Sequence, residues 1–199
     1  MKINYEEKEY ELNLEQANAI EKILGITRMP FKVKDYETFT IANIEFIKFP
    51  NDNGKTPIVA KDILFCEKFG SNNNLSKSSI LLQRLEEDVL KELESVIGKD
   101  KILEFETDLT AMDGINEHGR LKSKISLPTF DFIRANAEVF DKYKSTSWWW
   151  TSTPFSTPSR GYSRHICCVN SVGILDWNGC DDSYGVRPFL TLDSSIFES

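Results

Sequence analysis

Four cysteines and two histidines are the residues of this 199-residue chain with metal or redox chemistry open to them: Cys66, Cys167, Cys168, Cys180, His118 and His165. Their spacing matches no zinc ribbon or finger. Adjacent Cys167 and Cys168 point to opposite faces of a strand, because strand side chains alternate with a period of two. His165 and Cys167 share a face, and either can join Cys180 at a metal. Two or three soft ligands without a recognisable fourth read better as buried packing residues, so no metal and no cofactor are expected. His118, near Asp113 and Glu117, has no second histidine at ligand spacing and reads as an exposed loop residue.

The other chemistry is aromatic. Along a strand, Trp148 and Trp150 share one face and Trp149 takes the other, so three core rings do not fit a one-sided sheet. Trp150 with Phe189 is expected as a core pair. An outward Trp149, with Phe155, Tyr162, Trp177 and Tyr184 from neighbouring loops, builds an aromatic recognition surface. Arg160, Asn178, Asp181 and Asp182 supply its polar contacts. Arg187 is expected to be structural, clamping carboxylates or backbone carbonyls near the core.

The elements that position these residues follow from periodicity. Residues 1 to 12 alternate weakly, as a strand or short hairpin. Asn13 caps a helix with Leu14, Ala17, Ile20 and Leu24 on one face, and Gly25 ends it. Residues 1–36 thus read as a small appendage packed on a domain spanning 37–199. From Thr38 to Leu64 the pattern is β, with Asn53-Gly54 as a hairpin turn. Leu82, Leu85, Val89, Leu93 and Val96 form a helical stripe that stops at Gly98. Lys101 to Leu109 reads as a strand, followed by an irregular loop to Lys122. A short strand then runs through Leu127-Pro128-Thr129 into a helix, with Thr129 as N-cap and Phe130, Ile133, Ala137 and Phe140 as its buried stripe. Gly161 to Asn170 is a strand buried on both sides, Ser171-Val172-Gly173 a hairpin turn, and Gly185 to Leu192 the last strand, at an edge or bulged at Pro188.

Composition narrows the partner. The net charge is −7, with no cluster of Lys and Arg, so direct nucleic-acid binding is excluded. An acidic chain suits a basic protein surface, and a protein partner is favoured over a glycan. No apolar run approaches the roughly 20 residues that span a bilayer. The opening MKINYEEKEY lacks a signal-peptide core, so a cytoplasmic location is expected.

Leu127-Pro128-Thr129 opening a helix resembles the helix start of formylglycine-generating-enzyme-like domains. Trp149-Trp150-Thr151-Ser152-Thr153-Pro154 is similar to the tryptophan-plus-serine strand of that superfamily, and to "Trp-Trp-Leu-Arg-Ser-Pro" in an uncharacterised bacterial and phage family. Tyr184-Gly185-Val186-Arg187-Pro188-Phe189-Leu190 resembles that family's closing "Gly-Val-Arg-Pro-Ala-Leu". The resemblance covers roughly residues 38 to 195. It implies an α+β, C-type-lectin-like fold, with a twisted antiparallel sheet, two main helices and long loops. The same resemblance implies a non-enzymatic binding module of phage or mobile-element origin, or an inhibitor that occludes a host defence protein such as a CRISPR nuclease. A copper-dependent oxidase is the enzymatic alternative, but the cysteine pair it needs is not met by adjacent Cys167 and Cys168 with a distant Cys180. Trp177-Asn178-Gly179-Cys180-Asp181-Asp182 resembles the Trp-Asn-Asp segment of calcium-dependent lectins. Calcium takes roughly six to eight oxygens, which Asp181 and Asp182 alone do not provide.

Overall fold

The computed structural model describes residues 2–5, 8–11, 31–76 and 79–197. The helix expected over residues 13–24 lies outside them. Strands β1 (Lys2–Tyr5) and β2 (Lys8–Glu11) form an antiparallel hairpin. Phe31 bridges Phe197, and its ring lies 4.9 Å from that of Phe39. Packing onto the domain therefore begins ahead of the boundary expected at residue 37.

Two tight turns set the register of the first large sheet. Strands β3 (Thr38–Ile41) and β4 (Ile44–Lys48) meet through Ala42 and Asn43, both at positive φ (50° and 63°). Strand β5 (Lys55–Ala60) follows the Asn53-Gly54 turn, at φ 51° and 79°. Positive φ at both central residues matches the right-handed twist of a hairpin. The sheet runs β10-β15-β5-β4-β3, where β10 is Ile125–Ser126 and β15 is Phe189–Asp193, and β7 (Ile102–Leu103) also pairs with β15. Its register puts Phe46, Ile58 and Leu190 on one face and Ile47, Val59 and Phe189 on the other. The first set is buried in one cluster; Ile47 and Val59 are buried in a second, with Phe189 half-buried against it. Burying one such side chain contributes about 1.5–3 kcal/mol.

The second sheet runs β13-β12-β11-β14-β6: Leu175–Gly179, His165–Val169, Trp149–Pro154, Ser183–Val186 and Phe65–Lys68. Within it β11 and β14 are parallel, paired at Trp149 and Gly185. Gly185 is required there by packing, because a Cβ would lie 2.3 Å from Ile63 Cδ1. Strands β8 (Phe105–Asp108) and β9 (Arg120–Ser123) make a separate hairpin.

The long helix has α-helical ends, Ile80–Arg84 and Lys91–Ile97, around a π segment, Leu85–Leu90. Its buried residues include Leu85, Val89, Leu93 and Ile97, each four apart. On a helix of 3.6 residues per turn that spacing drifts by about 40° per step, and the wider π turn absorbs the drift. Ile97 is therefore buried, and the expected Val96 is half-buried against the same core. The later helix is broken at Asn136 (φ −120°, ψ 32°) into Phe130–Ala135 and Ala137–Lys142. The break rotates Ala137 into solvent, while Ile133 and Phe140 stay buried. Thr129 caps its start by accepting from the Phe132 amide at 3.1 Å.

The architecture corrects the expected fold class. Among the described residues strand outweighs helix, 36% to 22%, with three helices and open sheets, not one twisted antiparallel sheet with two main helices. Several misread segments contribute to the difference: the stretch from Phe39 to Phe49 and the loop before Lys122 each conceal a strand, Phe65–Lys68 forms a strand beyond the expected β stretch, and Lys101 to Leu109 and Gly185 to Leu192 are each two strands. Strand β14 belongs to one sheet and β15 to the other, with Arg187 and Pro188 crossing between them. Pro188 accepts a hydrogen bond from the Ala60 amide (2.9 Å) but has no N–H to return. The Arg187 Nε–H fills the gap and donates to the Ala60 carbonyl at 2.9 Å. Fully buried, the guanidinium lies 4.7 Å from the Trp149 ring centroid and 5.4 Å from that of Phe140. Burial pushes its pKa down to about 10, which leaves it charged at neutral pH.

Candidate functional site

The structure sorts the sequence-predicted site residues into three places. Trp149 is one of the core rings, 1% exposed and stacked on Phe140 at 5.8 Å, so it forms no part of a surface. The helical segment Ala137–Lys142 covers the face on which Trp149 was expected to meet solvent. Trp150 is also buried, but its neighbours are Phe69 and Tyr184, not Phe189, and its indole N–H donates to the Glu67 carbonyl at 2.8 Å. Phe189 packs on Phe105 and Phe132 instead.

Tyr184 and Asn178 lie on the Trp150 face of the second sheet. Tyr184 stacks on Trp148 at 5.4 Å, and its hydroxyl accepts from Asn178 Nδ2. Asp181 and Asp182 are exposed in the turn between β13 and β14, with Asp181 paired to Arg164 at 3.1 Å.

Phe155, Tyr162 and Trp177 come together on the opposite face. Phe155 lies 4.8 Å from Trp177 and 5.4 Å from Tyr162. Tyr184, expected as a member of this group, lies on the other face, and His165, which was not expected in it, sits 5.1 Å from Trp177 and 5.8 Å from Tyr162. The hairpin register explains it: Cys167 faces Trp177 and His165 faces Gly179, so alternation puts His165 and Trp177 on one face. Tyr162 and Trp177 remain 43% and 44% exposed. His165 Nδ1 is buried with no hydrogen-bond partner among the described residues. Strand β12 begins only at His165, and Gly161 (φ 84°) ends a short 3-10 turn, so Tyr162 projects from a loop and not from the expected strand.

Buried Asn73 holds this loop in place. Its Nδ2 donates to the carbonyls of Ser156 (2.8 Å), Tyr162 (2.7 Å) and His165 (3.0 Å), sharing two protons among three acceptors. Its Oδ1 accepts from His118 Nε2 at 3.0 Å. His118 is thus half-buried and bonded, not exposed, and burial lowers its pKa. A second loop braces the first: Ser156 Oγ donates to Asp113 at 2.6 Å, the Ser159 amide donates to Glu117 at 3.2 Å, and Arg160 lies 3.8 Å from Asp113. The Ser156 and Ser159 hydroxyls hold the Asp113 and Glu117 carboxyls below their ordinary range.

The cysteines do not converge. Cys167 lies on the His165 face, and Cys168 and Cys180 lie in the other cluster. No group of three or more metal-capable side chains occurs among the described residues. Burial pushes the thiols of Cys167, Cys168 and Cys180 up to about 12, so they stay protonated at neutral pH. A protonated thiol is neither nucleophile nor metal ligand.

Residues 115–194 match a family described as a domain of unknown function (DUF6273). That stretch runs from the bracing loop through Trp177 to β15, and so takes in both the aromatic face and the buried Trp149–Arg187 stack. No curated protein and no solved structure matches the chain. No helix among the described residues is long and apolar enough to cross a membrane.

Proposed function

We propose that this chain is a non-enzymatic binding module that recognises a partner protein through the face built by Phe155, Tyr162, His165 and Trp177. The observation that carries the reading is the concentration of exposed apolar side chains there. Of seven large hydrophobics left exposed among the described residues, Tyr162, Val172, Ile174 and Trp177 belong to this loop and to the β12–β13 hairpin. Half-exposed rings on a rigid sheet, positioned by a buried asparagine, match the aromatic anchors that carry most of the energy at protein interfaces. The three high-pKa thiols favour binding over redox chemistry.

A second reading, an inhibitor that covers a basic surface of its target, draws on Asp113 and Glu117 beside the Tyr162 loop, on Asp176, Asp181 and Asp182 along and after β13, and on the net charge of −7. Affinity purification from the cells that make the protein, followed by mass spectrometry, tests both. The module reading expects a protein recovered by wild type and lost with Tyr162→Ala or Trp177→Ala. A glycan as the only ligand contradicts it. The inhibitor reading adds that the complex weakens as salt rises and that it suppresses the partner's activity.

A further inference from the structure

The two edges of the second sheet differ. At β6, Arg84 from the long helix lies 4.0 Å over the Phe65 ring and pairs with Glu67 at 2.7 Å. At β13 no strand among the described residues pairs on the outer side. The hydrogen bonds Cys180 N–H to Arg164 O and Asn170 N–H to Ile174 O fix the ladder's parity. With the register of the pair, they turn residues 174, 176, 178 and 180 inward to β12 and leave Leu175, Trp177 and Gly179 facing outward. Two of those outward amides bond only to neighbouring side chains, Trp177 N–H to Asp176 Oδ1 and Gly179 N–H to Asn178 Oδ1, both at 2.9 Å. Such local bonds are readily exchanged for a strand's carbonyls.

The faces beside this edge are unlike. Trp177 and the aromatic patch lie on one. Asp176, Asn178 and Asp182 lie on the other, where both carboxylates act on Tyr184 and Cys168 and help raise their pKa values. We propose that β13 is a strand-addition site for an extended, cationic segment of the partner protein, with an apolar side chain on Trp177 flanked by Lys or Arg residues facing Asp176 and Asp182. This rests on the binding-module reading and names the partner's chemistry. A residue added opposite Trp177 points its side chain to the aromatic face, and its neighbours point to the acidic face. A second copy of the chain is a poor occupant, since it would bring Asp176 and Asp182 of two proteins, each of net charge −7, to one edge.

The test uses an acetylated, amidated heptapeptide alternating Lys and Val, together with the whole protein. The peptide is expected to bind and to shift the backbone amide resonances of Leu175, Trp177 and Gly179. N-methylation at every Val or at every Lys blocks opposite edges of a strand, so one series is expected to lose about tenfold in affinity or more and the other little. Asp176→Asn with Asp182→Asn weakens binding and flattens its salt dependence. The proposal is overturned if both N-methyl series bind like the parent, if a Glu/Val peptide binds as well, or if no peptide binds. It is equally overturned if the protein alone sediments as a dimer with those amides protected. Equal binding of both N-methyl series that is lost in Trp177→Ala removes strand addition but leaves the aromatic face as a binding site. Native-partner capture undiminished by Trp177→Ala removes the face itself.

Discussion

Trp149 and Trp177 stand 28 positions apart, on strands one removed from each other, and they do opposite jobs. Trp149 is buried against both Phe140 and the Arg187 guanidinium, at the point where Gly185 lets Ile63 close in. Trp177 lies 44% exposed against Phe155 and His165, on a strand with an open edge. Neither ring's own sequence context separates them. What differs is the element laid over each: a helix and a buried cation over Trp149, and no described element over Trp177. Tryptophan rings thus serve here both as packing that joins two sheets and as half-exposed surface, the surface proposed to receive a partner.

Mutations break that comparison where the two rings differ most. Trp149→Ala is expected to cost about 3–5 kcal/mol of stability, the range for an aromatic removed from a packed core, read by urea denaturation. A loss below 1 kcal/mol would mean the stack is not a core. Arg187→Ala is expected to cost about 3 kcal/mol, because it leaves the Ala60 carbonyl unpaired opposite Pro188 and empties the space beneath Trp149. Denaturation measures it again, and Arg187 and Trp149 in a double-mutant cycle should couple, since they share one contact. Asn73→Ala acts on the other ring's side. About 2 kcal/mol is expected, because the Ser156 and Tyr162 carbonyls lose the Asn73 donor and the His165 carbonyl keeps only the Phe155 amide, with faster hydrogen exchange across residues 156–164 and no change at Trp149.

The smallest expected effect is a pH dependence confined to the braced loops. His118 has a folded pKa below its ordinary 6.5. The unfolded chain therefore holds more protons just under that value, and stability falls as pH drops through about 6.5. Asp113 and Glu117 shift downward, so their support persists to lower pH and is lost only as pH falls through their folded values. His118→Gln should remove the upper step and leave the lower one, visible in stability measured from pH 7.5 to 3.

Local chemistry in the sequence located much of this. Asn53-Gly54 marked a turn, Thr129 a cap, and strand alternation divided Trp149 from its two neighbours. Other features depend on partners far along the chain and have no local signature. The missing N–H of Pro188 signalled a disturbed strand, but not that its two sides serve different sheets, because the compensating donor comes from the Arg187 side chain and the acceptor from Ala60. The hairpin of β3 and β4 went unread because Ala42-Asn43 is a less obvious positive-φ pair than Asn-Gly. At the site, Phe155, Tyr162 and Trp177 were legible as a group. His165 could have joined them by carrying the hairpin register from the Asn170 turn, which pairs it with Gly179. Asn73 could not, since its three carbonyl partners lie 83 to 92 positions away.

The central claim is that the Trp149 region holds the fold while the Trp177 region holds a partner. Trp177→Ala tests it most directly, with unfolding stability and capture of the native partner measured on the same preparation. The account expects stability within about 1 kcal/mol of wild type, as for an exposed side chain, and partner capture lost. Capture retained at the wild-type level by the folded Trp177→Ala protein would contradict it.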